Sequence, residues 1–162
     1  MFRPQKAKFK YLKEESYLQY IENSVGSKMF RSYFVKDSKG KRIDVLGNGN
    51  VSCGIHVSTI LRNFDLIKKL HFTVARTIDD MIDCKWKKVS LKSIRPGDVI
   101  LWVPLKGETG LHSHAGFYIG KKQAVSNSSK QKCISKHHYT YSNKREVEAV
   151  YRPNWKFSYA KS

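Results

Sequence analysis

Acidic side chains are scarce in this 162-residue sequence, where 13 Asp and Glu stand against 31 Lys and Arg. The formal charge of +18 excludes an anionic surface and favours encounter with polyanions: nucleic acid, anionic lipid headgroups or acidic cell-wall polymers. Long apolar runs are also missing. The longest, Val99 to Leu105, is far too short to cross a bilayer and contains Pro104, so no transmembrane segment is expected. The N-terminus, MFRPQKAKFKYLKEE, is basic with no apolar stretch behind it, which does not fit an ordinary secretory signal peptide. A soluble chain is expected, cytoplasmic or released without a classical signal. Cysteine numbers only three, at spacings that match neither a disulfide framework nor a zinc finger. At least one thiol is free, which fits a reducing compartment or a working thiol better than a stapled scaffold.

What is present suffices for a core: 40% of residues are hydrophobic and 12% aromatic. The length fits one domain over residues 11–162, behind a basic lead-in at 1–10. Leu18, Ile21 and Val25 recur at helical spacing between Tyr11 and Val25. Residues 29–50 read as short extended pieces, with turn signals at Asp37-Ser-Lys-Gly and Gly47-Asn-Gly-Asn. A second helix is expected from Ser52, with Val57, Ile60, Leu61, Phe64 and Ile67 as its apolar stripe and Lys68 and Lys69 at its C-terminal end. A third runs from Thr73 to Asp83, with Val74, Ile78, Met81 and Ile82 turned inward. Beyond the tight turn Ile94-Arg-Pro-Gly-Asp, strands are expected at Val99–Val103, His114–Ile119, Gln123–Ser126 and Glu146–Tyr151, with a loop at 106–110. Residues 152–162, with Trp155, Phe157 and Tyr159, are expected to lie across the sheet. Helices first and an antiparallel sheet afterwards make an α+β plan.

A cysteine is a useful nucleophile as the thiolate, and a helix N-terminus stabilises that anion. Cys53 stands where a Gly- and Asn-rich loop enters the second helix, between the small residues Ser52 and Gly54. Cys84 and Cys133 fall at a helix–loop junction and in a loop, with nothing nearby to activate them. A base must come from another element, and His114, opening the second strand, is the candidate. A third polar group usually holds the imidazole in its useful tautomer. Ser126 and Asn127, at the end of the next strand, are nearest across one hairpin.

Three blocks carry a resemblance. Ser52-Cys-Gly-Ile-His-Val-Ser resembles the nucleophile motif of NlpC/P60 cysteine peptidases. Ile94-Arg-Pro-Gly-Asp-Val-Ile-Leu-Trp resembles the turn and strand that follow in that family, and His114-Ala-Gly-Phe-Tyr-Ile-Gly is similar to its His-Val-Gly-Ile-Tyr-Ile-Gly strand. The blocks occur in family order over residues 50–127, about half of the chain. The resemblance implies a papain-like fold, with helices packed on a central antiparallel sheet. It also implies Cys53 as nucleophile, His114 as general base, and peptidoglycan stem peptides as the substrate class. The family's third residue is usually a histidine; here that position is Ser126, but Asn127, brought in by a slip or bulge of one residue, is the third residue expected, with Ser126 as the alternative.

Rival readings exist for the other histidines. His112 lies two residues before His114 and points to the same face, but the Ala-Gly-Phe-Tyr context favours His114. His56, one turn beyond Cys53, reads as packed or solvated. His137 and His138 invite a metal site, but no paired ligand spacing is present, so no metal and no cofactor is expected. Asp98 reads as structural. The reaction expected is amide hydrolysis through a thioester, with the Cys53 backbone N–H holding the oxyanion and a peptide or peptidoglycan-like substrate as partner. Two alternatives stand beside it: a catalytically silent domain binding an anionic polymer through its basic surface, and a papain-like acyl or amide transferase.

Overall fold

Helix formation follows local chemistry. The first helix, α1 (Lys13–Asn23), carries Glu14 and Glu15 where the helix dipole favours negative charge. Next come a hairpin, β1 (Phe34–Lys36) and β2 (Arg42–Asp44), and the helix α2 (Cys53–Asn63). The helix α3 (Val74–Asp83) is capped by Thr73, whose side chain accepts from the Arg76 N–H. Six strands complete the order: β3 (Lys87–Val89), β4 (Val99–Gly107), β5 (Gly110–Gly120), β6 (Gln123–Ser128), β7 (Cys133–His138) and β8 (Val147–Arg152). This computed structural model describes residues 10–107 and 110–156. The lead-in up to residue 9, positions 108–109 and the tail with Phe157 and Tyr159 lie outside the described residues.

The six later strands form one antiparallel sheet in the order β3-β8-β4-β5-β6-β7, apart from the β1–β2 hairpin. Alternation along the strands gives the sheet two working faces. Val99, Ala115, Phe117, Val125 and Ile134 join Tyr17, Ile21, Val57, Leu61 and Met81 in the core beneath the helices. On the other face Ile100, Trp102 and Ala124 are covered by Tyr118, Tyr139, Tyr141 and Val147. The architecture is the expected α+β fold, with helices packed on a central antiparallel sheet. Among the described residues no helix is long and apolar enough to cross a membrane.

The Arg-Pro-Gly-Asp turn anchors the helices to the sheet. Tyr17 donates its hydroxyl to the Gly97 carbonyl at 2.9 Å. Gly97 has φ +91°, and a Cβ there would lie 2.9 Å from the Tyr17 ring, so glycine is required on both counts. Asp98 is buried and takes two hydrogen bonds from Arg152, at 3.0 and 2.8 Å, plus one from the Arg95 N–H at 2.8 Å. Its role is structural, pinning the turn to β8.

Several boundaries depart from the sequence reading. The α1 stripe is Tyr17 and Ile21, while Val25 lies beyond the helix and is exposed. Helix α2 ends at Asn63, so Lys68 and Lys69 do not cap it; their N–H groups bond to the Asp80 carboxylate on α3. Ile82 is exposed, because the inward face of α3 is set by Val74, Thr77, Ile78 and Met81. Strand β4 runs through Pro104 because a bulge between Trp102 and Leu105 removes the need for its missing N–H. Cys133 stands in a strand, β7, and not in the loop expected from the sequence. Among its side chains only Ile134 is fully buried, and that gives no alternating pattern.

Candidate active site

Cys53 is the first residue of α2 and is buried. Gly54 explains how the helix start can sit so tightly: a Cβ there would lie 2.6 Å from the Phe72 carbonyl oxygen and 2.7 Å from the Thr73 carbonyl carbon. Both are backbone atoms entering α3, so no side chain fits. Ser52 donates its hydroxyl to the Phe30 carbonyl and fixes the incoming loop. His56 is fully buried; its Nε2 is 3.0 Å from Ser24 Oγ and its ring packs between Phe30 and Phe117. It ties α2 to the end of α1, a structural task.

The Cys53 sulfur meets β5 at the backbone on either side of His114. Its thiol donates to the Ser113 carbonyl at 3.7 Å, while the N–H groups of Ala115, Gly54 and Cys53 face the sulfur. Burial pushes the thiol pKa up; those N–H groups and the Arg145 guanidinium pull the other way without prevailing.

His114 alternates to the sheet face opposite the helices. Its ring lies over Trp102 at 5.1 Å, and its Nε2 is 2.9 Å from both Ser126 Oγ and Tyr141 OH. Although it keeps some exposure to the cleft, enclosure of the ring pushes its pKa down to about 3, helped by the Arg145 charge. The resting pair at neutral pH is therefore thiol and neutral imidazole. A cleft of about 1130 Å³ is bordered by Cys53, His112, His114, His137, Tyr141 and Arg145, among others.

Ser126 and Asn127 separate as neighbours on a strand must. Ser126 pairs with Gly116 across the β5–β6 ladder and shares the face of His114. Asn127 turns to the helix face, where its amide donates to the Gly49 carbonyl at 2.9 Å. The expectation that Asn127 orients His114 is therefore corrected: no slip moves it onto the histidine's face, and it pins the loop before Cys53 instead. Ser126 Oγ is also 2.7 Å from His137 Nε2 and 3.1 Å from Tyr141 OH.

Three residues at the site escaped the sequence reading as site members. His137 drew notice only as a possible metal ligand; among the described residues no three His, Cys, Asp or Glu side chains form a metal-holding group. Tyr141 stacks on His137 at 4.0 Å and is delivered by three successive left-handed residues, Tyr141, Ser142 and Asn143, with φ of 51°, 57° and 65°. No sequence pattern announces such a turn in residues other than glycine. Arg145 is partly buried; its Nη2 reaches the Val103 carbonyl at 3.4 Å and its Nε is buried without a partner.

A cysteine opening a helix against an antiparallel sheet, with a histidine on the strand it touches, defines a papain-like α+β domain. The NlpC/P60 family profile matches residues 48–151, and the chain belongs to that family of papain-like cysteine hydrolases. Among solved structures the chain is similar to NlpC2 from Trichomonas vaginalis, with TM-score 0.56 and 15% identity, over 91% of this chain and 49% of that one. The chain thus spans about half the length of NlpC2, and the likeness is one of fold. No curated protein matches the chain.

Proposed function

We propose that this chain hydrolyses an amide bond, in peptidoglycan stem peptides, with Cys53 as nucleophile, His114 as general base and Ser126 orienting the base. The observation that carries the reading is the placement of Cys53 Sγ. It lies at the start of α2, faced by three backbone N–H groups, and touches the β5 backbone that carries His114. On attack, Cys53 Sγ bonds to the carbonyl carbon while the thiol proton passes to His114. In this reading the Cys53 N–H holds the oxyanion. The C–N bond then breaks, the leaving amine takes the proton from His114, and water hydrolyses the thioester. Basic side chains at the cleft, Lys106, Lys130, Lys136 and Arg145, with no carboxylate among its described lining residues, suit an acidic polymer.

The test is incubation with purified peptidoglycan and mass spectrometry of the released fragments, for wild type, Cys53→Ser and His114→Ala. New free amines produced by the wild type alone, with an acyl group trapped on Cys53, support the reading. Equal fragment patterns in all three proteins would sink it. An aminolysis product on adding an amine acceptor would move the assignment to acyl transfer. The silent-domain reading draws on one observation: the thiol's hydrogen bond goes to Ser113 and not to the imidazole. An inert Cys53 with steeply salt-dependent polyanion binding would establish it.

A further inference from the structure

The contacts behind His114 admit one consistent set of protons. The His138 carbonyl can only accept, so its 2.9 Å contact with His137 Nδ1 puts a proton on that nitrogen. Burial pushes the His137 pKa down, so the ring is neutral and its Nε2 holds a lone pair. Ser126, 2.7 Å away, therefore donates its one proton to His137. It has none left for His114, and the 2.9 Å contact between them requires a proton on His114 Nε2. Tyr141 fits the same assignment: it donates to Ser126 Oγ at 3.1 Å and shares the Nε2 proton at 2.9 Å. The other tautomer of His114 would set lone pair against lone pair across the Ser126 contact.

We infer that His137 is a positioning residue which, acting through Ser126, locks His114 in the Nε2–H tautomer and so leaves Nδ1 as the free base. A serine alone cannot make that choice, because its hydroxyl donates or accepts with equal ease. With an obligate acceptor behind it, it can only accept from His114. The pair Ser126 and His137 thus does what a histidine at the third position does in the family. Register explains the reach: Ser126 pairs with Ser135 and Ala124 with His137, so His137 is a diagonal same-face neighbour of Ser126. Such neighbours stand about 7–8 Å apart, a span an imidazole bridges. The stacked Tyr141 ring and the Trp102 ring, 5.7 Å away, hold His137 in place.

The inference rests on Cys53 and His114 being the working pair, and the test separates the two claims. Long-range proton–nitrogen NMR of ¹⁵N-histidine protein reads each tautomer directly, and iodoacetamide reads the His114-dependent alkylation of Cys53. Wild type should show His114 as Nε2–H and His137 as Nδ1–H. His137→Phe keeps the stacking but removes the acceptor. It should bring up the Nδ1–H form of His114 and slow Cys53 alkylation roughly tenfold or more. His137→Gln, which keeps an acceptor oxygen, should recover much of the rate, as should Ser126→His combined with His137→Ala. An Nδ1–H His114 in the wild type overturns the inference without any variant. A wild-type Cys53 that His114 accelerates, with tautomer and rate unmoved in His137→Phe, overturns the inference alone. A Cys53 no faster in wild type than in His114→Ala sinks the working pair and the inference with it.

Discussion

Gly116 stands two residues after His114, opposite Ser126 in the ladder. Replacing it with alanine tests whether the spacing of β5 and β6 sets the site. A Cβ there would lie 2.5 Å from the Val125 carbonyl oxygen, 2.6 Å from Ser126 Cβ and 3.1 Å from the Trp102 ring. Carbon atoms rest about 3.5–4.0 Å apart, so β6 must retreat by about 1 Å. None of the three neighbours can swing aside: one is strand backbone, and Ser126 and Trp102 are both fully buried. Overpacking of this kind costs about 1–3 kcal/mol, and a backbone clash belongs at the upper end. For a chain of this size that is roughly a 6–12 °C fall in Tm. The same retreat stretches the 2.9 Å His114–Ser126 contact beyond hydrogen-bonding range. Thermal unfolding by circular dichroism and the His114-dependent rate at Cys53, measured on the folded variant, give the two readouts. We expect both to drop, the rate by roughly tenfold or more. A Gly116→Ala protein with unchanged Tm and unchanged rate would refute the argument that this glycine secures the strand spacing behind the base.

Ser126→Ala and Asn127→Ala should part company. The first should slow the reaction per folded molecule, and because it leaves His114 and His137 without their shared partner it lowers Tm as well. The second leaves the Gly49 carbonyl unpaired, costing about 1–3 kcal/mol while sparing the rate per folded molecule, and equal effects in both assays would contradict the assignment. The pH profile follows from His114: its pKa of about 3 leaves the base form in place at every pH above that value. The rate should therefore lack an acid limb near pH 6.5, and a limb there that vanishes in His114→Ala would count against the neutral resting pair. Arg145→Gln removes a cation that lowers the Cys53 pKa. It should slow alkylation by iodoacetate more than by iodoacetamide, by roughly threefold to tenfold in the ratio of rates. An unchanged ratio would show that Arg145 does not act on anions at the sulfur.

Much of the site was legible because its residues sit in strongly patterned segments. The apolar stripe after Cys53, the Arg-Pro-Gly-Asp turn and the alternation from His114 to Ile119 each carry their own local physics. The choice between Ser126 and Asn127 was left open, yet a period of two decides it once Gly116 is seen to pair with Ser126. What could not be read was the other half of the relay. Strand β7 reads Cys-Ile-Ser-Lys-His-His, with only Ile134 fully buried, and its place at the sheet edge comes from pairing with β6. The left-handed run at Tyr141–Asn143 has no glycine to announce it. Hairpin pairing and loop shape are non-local or weakly coded, and they are what bring His137 and Tyr141 to the base.

The two faces of the sheet give the proposed chemistry its energetic character. Cys53 comes from the helix side and meets the Ser113–Ala115 backbone, while the His114 ring lies on the Trp102 side of that strand. Burial opposes charge on both: it raises the thiol pKa and lowers that of the imidazole. A standing thiolate–imidazolium pair is therefore unfavourable. Attack on a carbonyl changes the balance, because the new negative charge moves from sulfur to an oxygen within reach of the Cys53 N–H at the start of α2. Charge separation is then stabilised only when a substrate supplies that oxygen. Binding stabilisation that exists for the transition state and not for the resting enzyme raises the chemical rate itself. It also leaves the free enzyme with a protonated, poorly nucleophilic thiol. The orientation of His114 then matters more than its basicity, since a neutral ring in the wrong tautomer offers the thiol no lone pair at all.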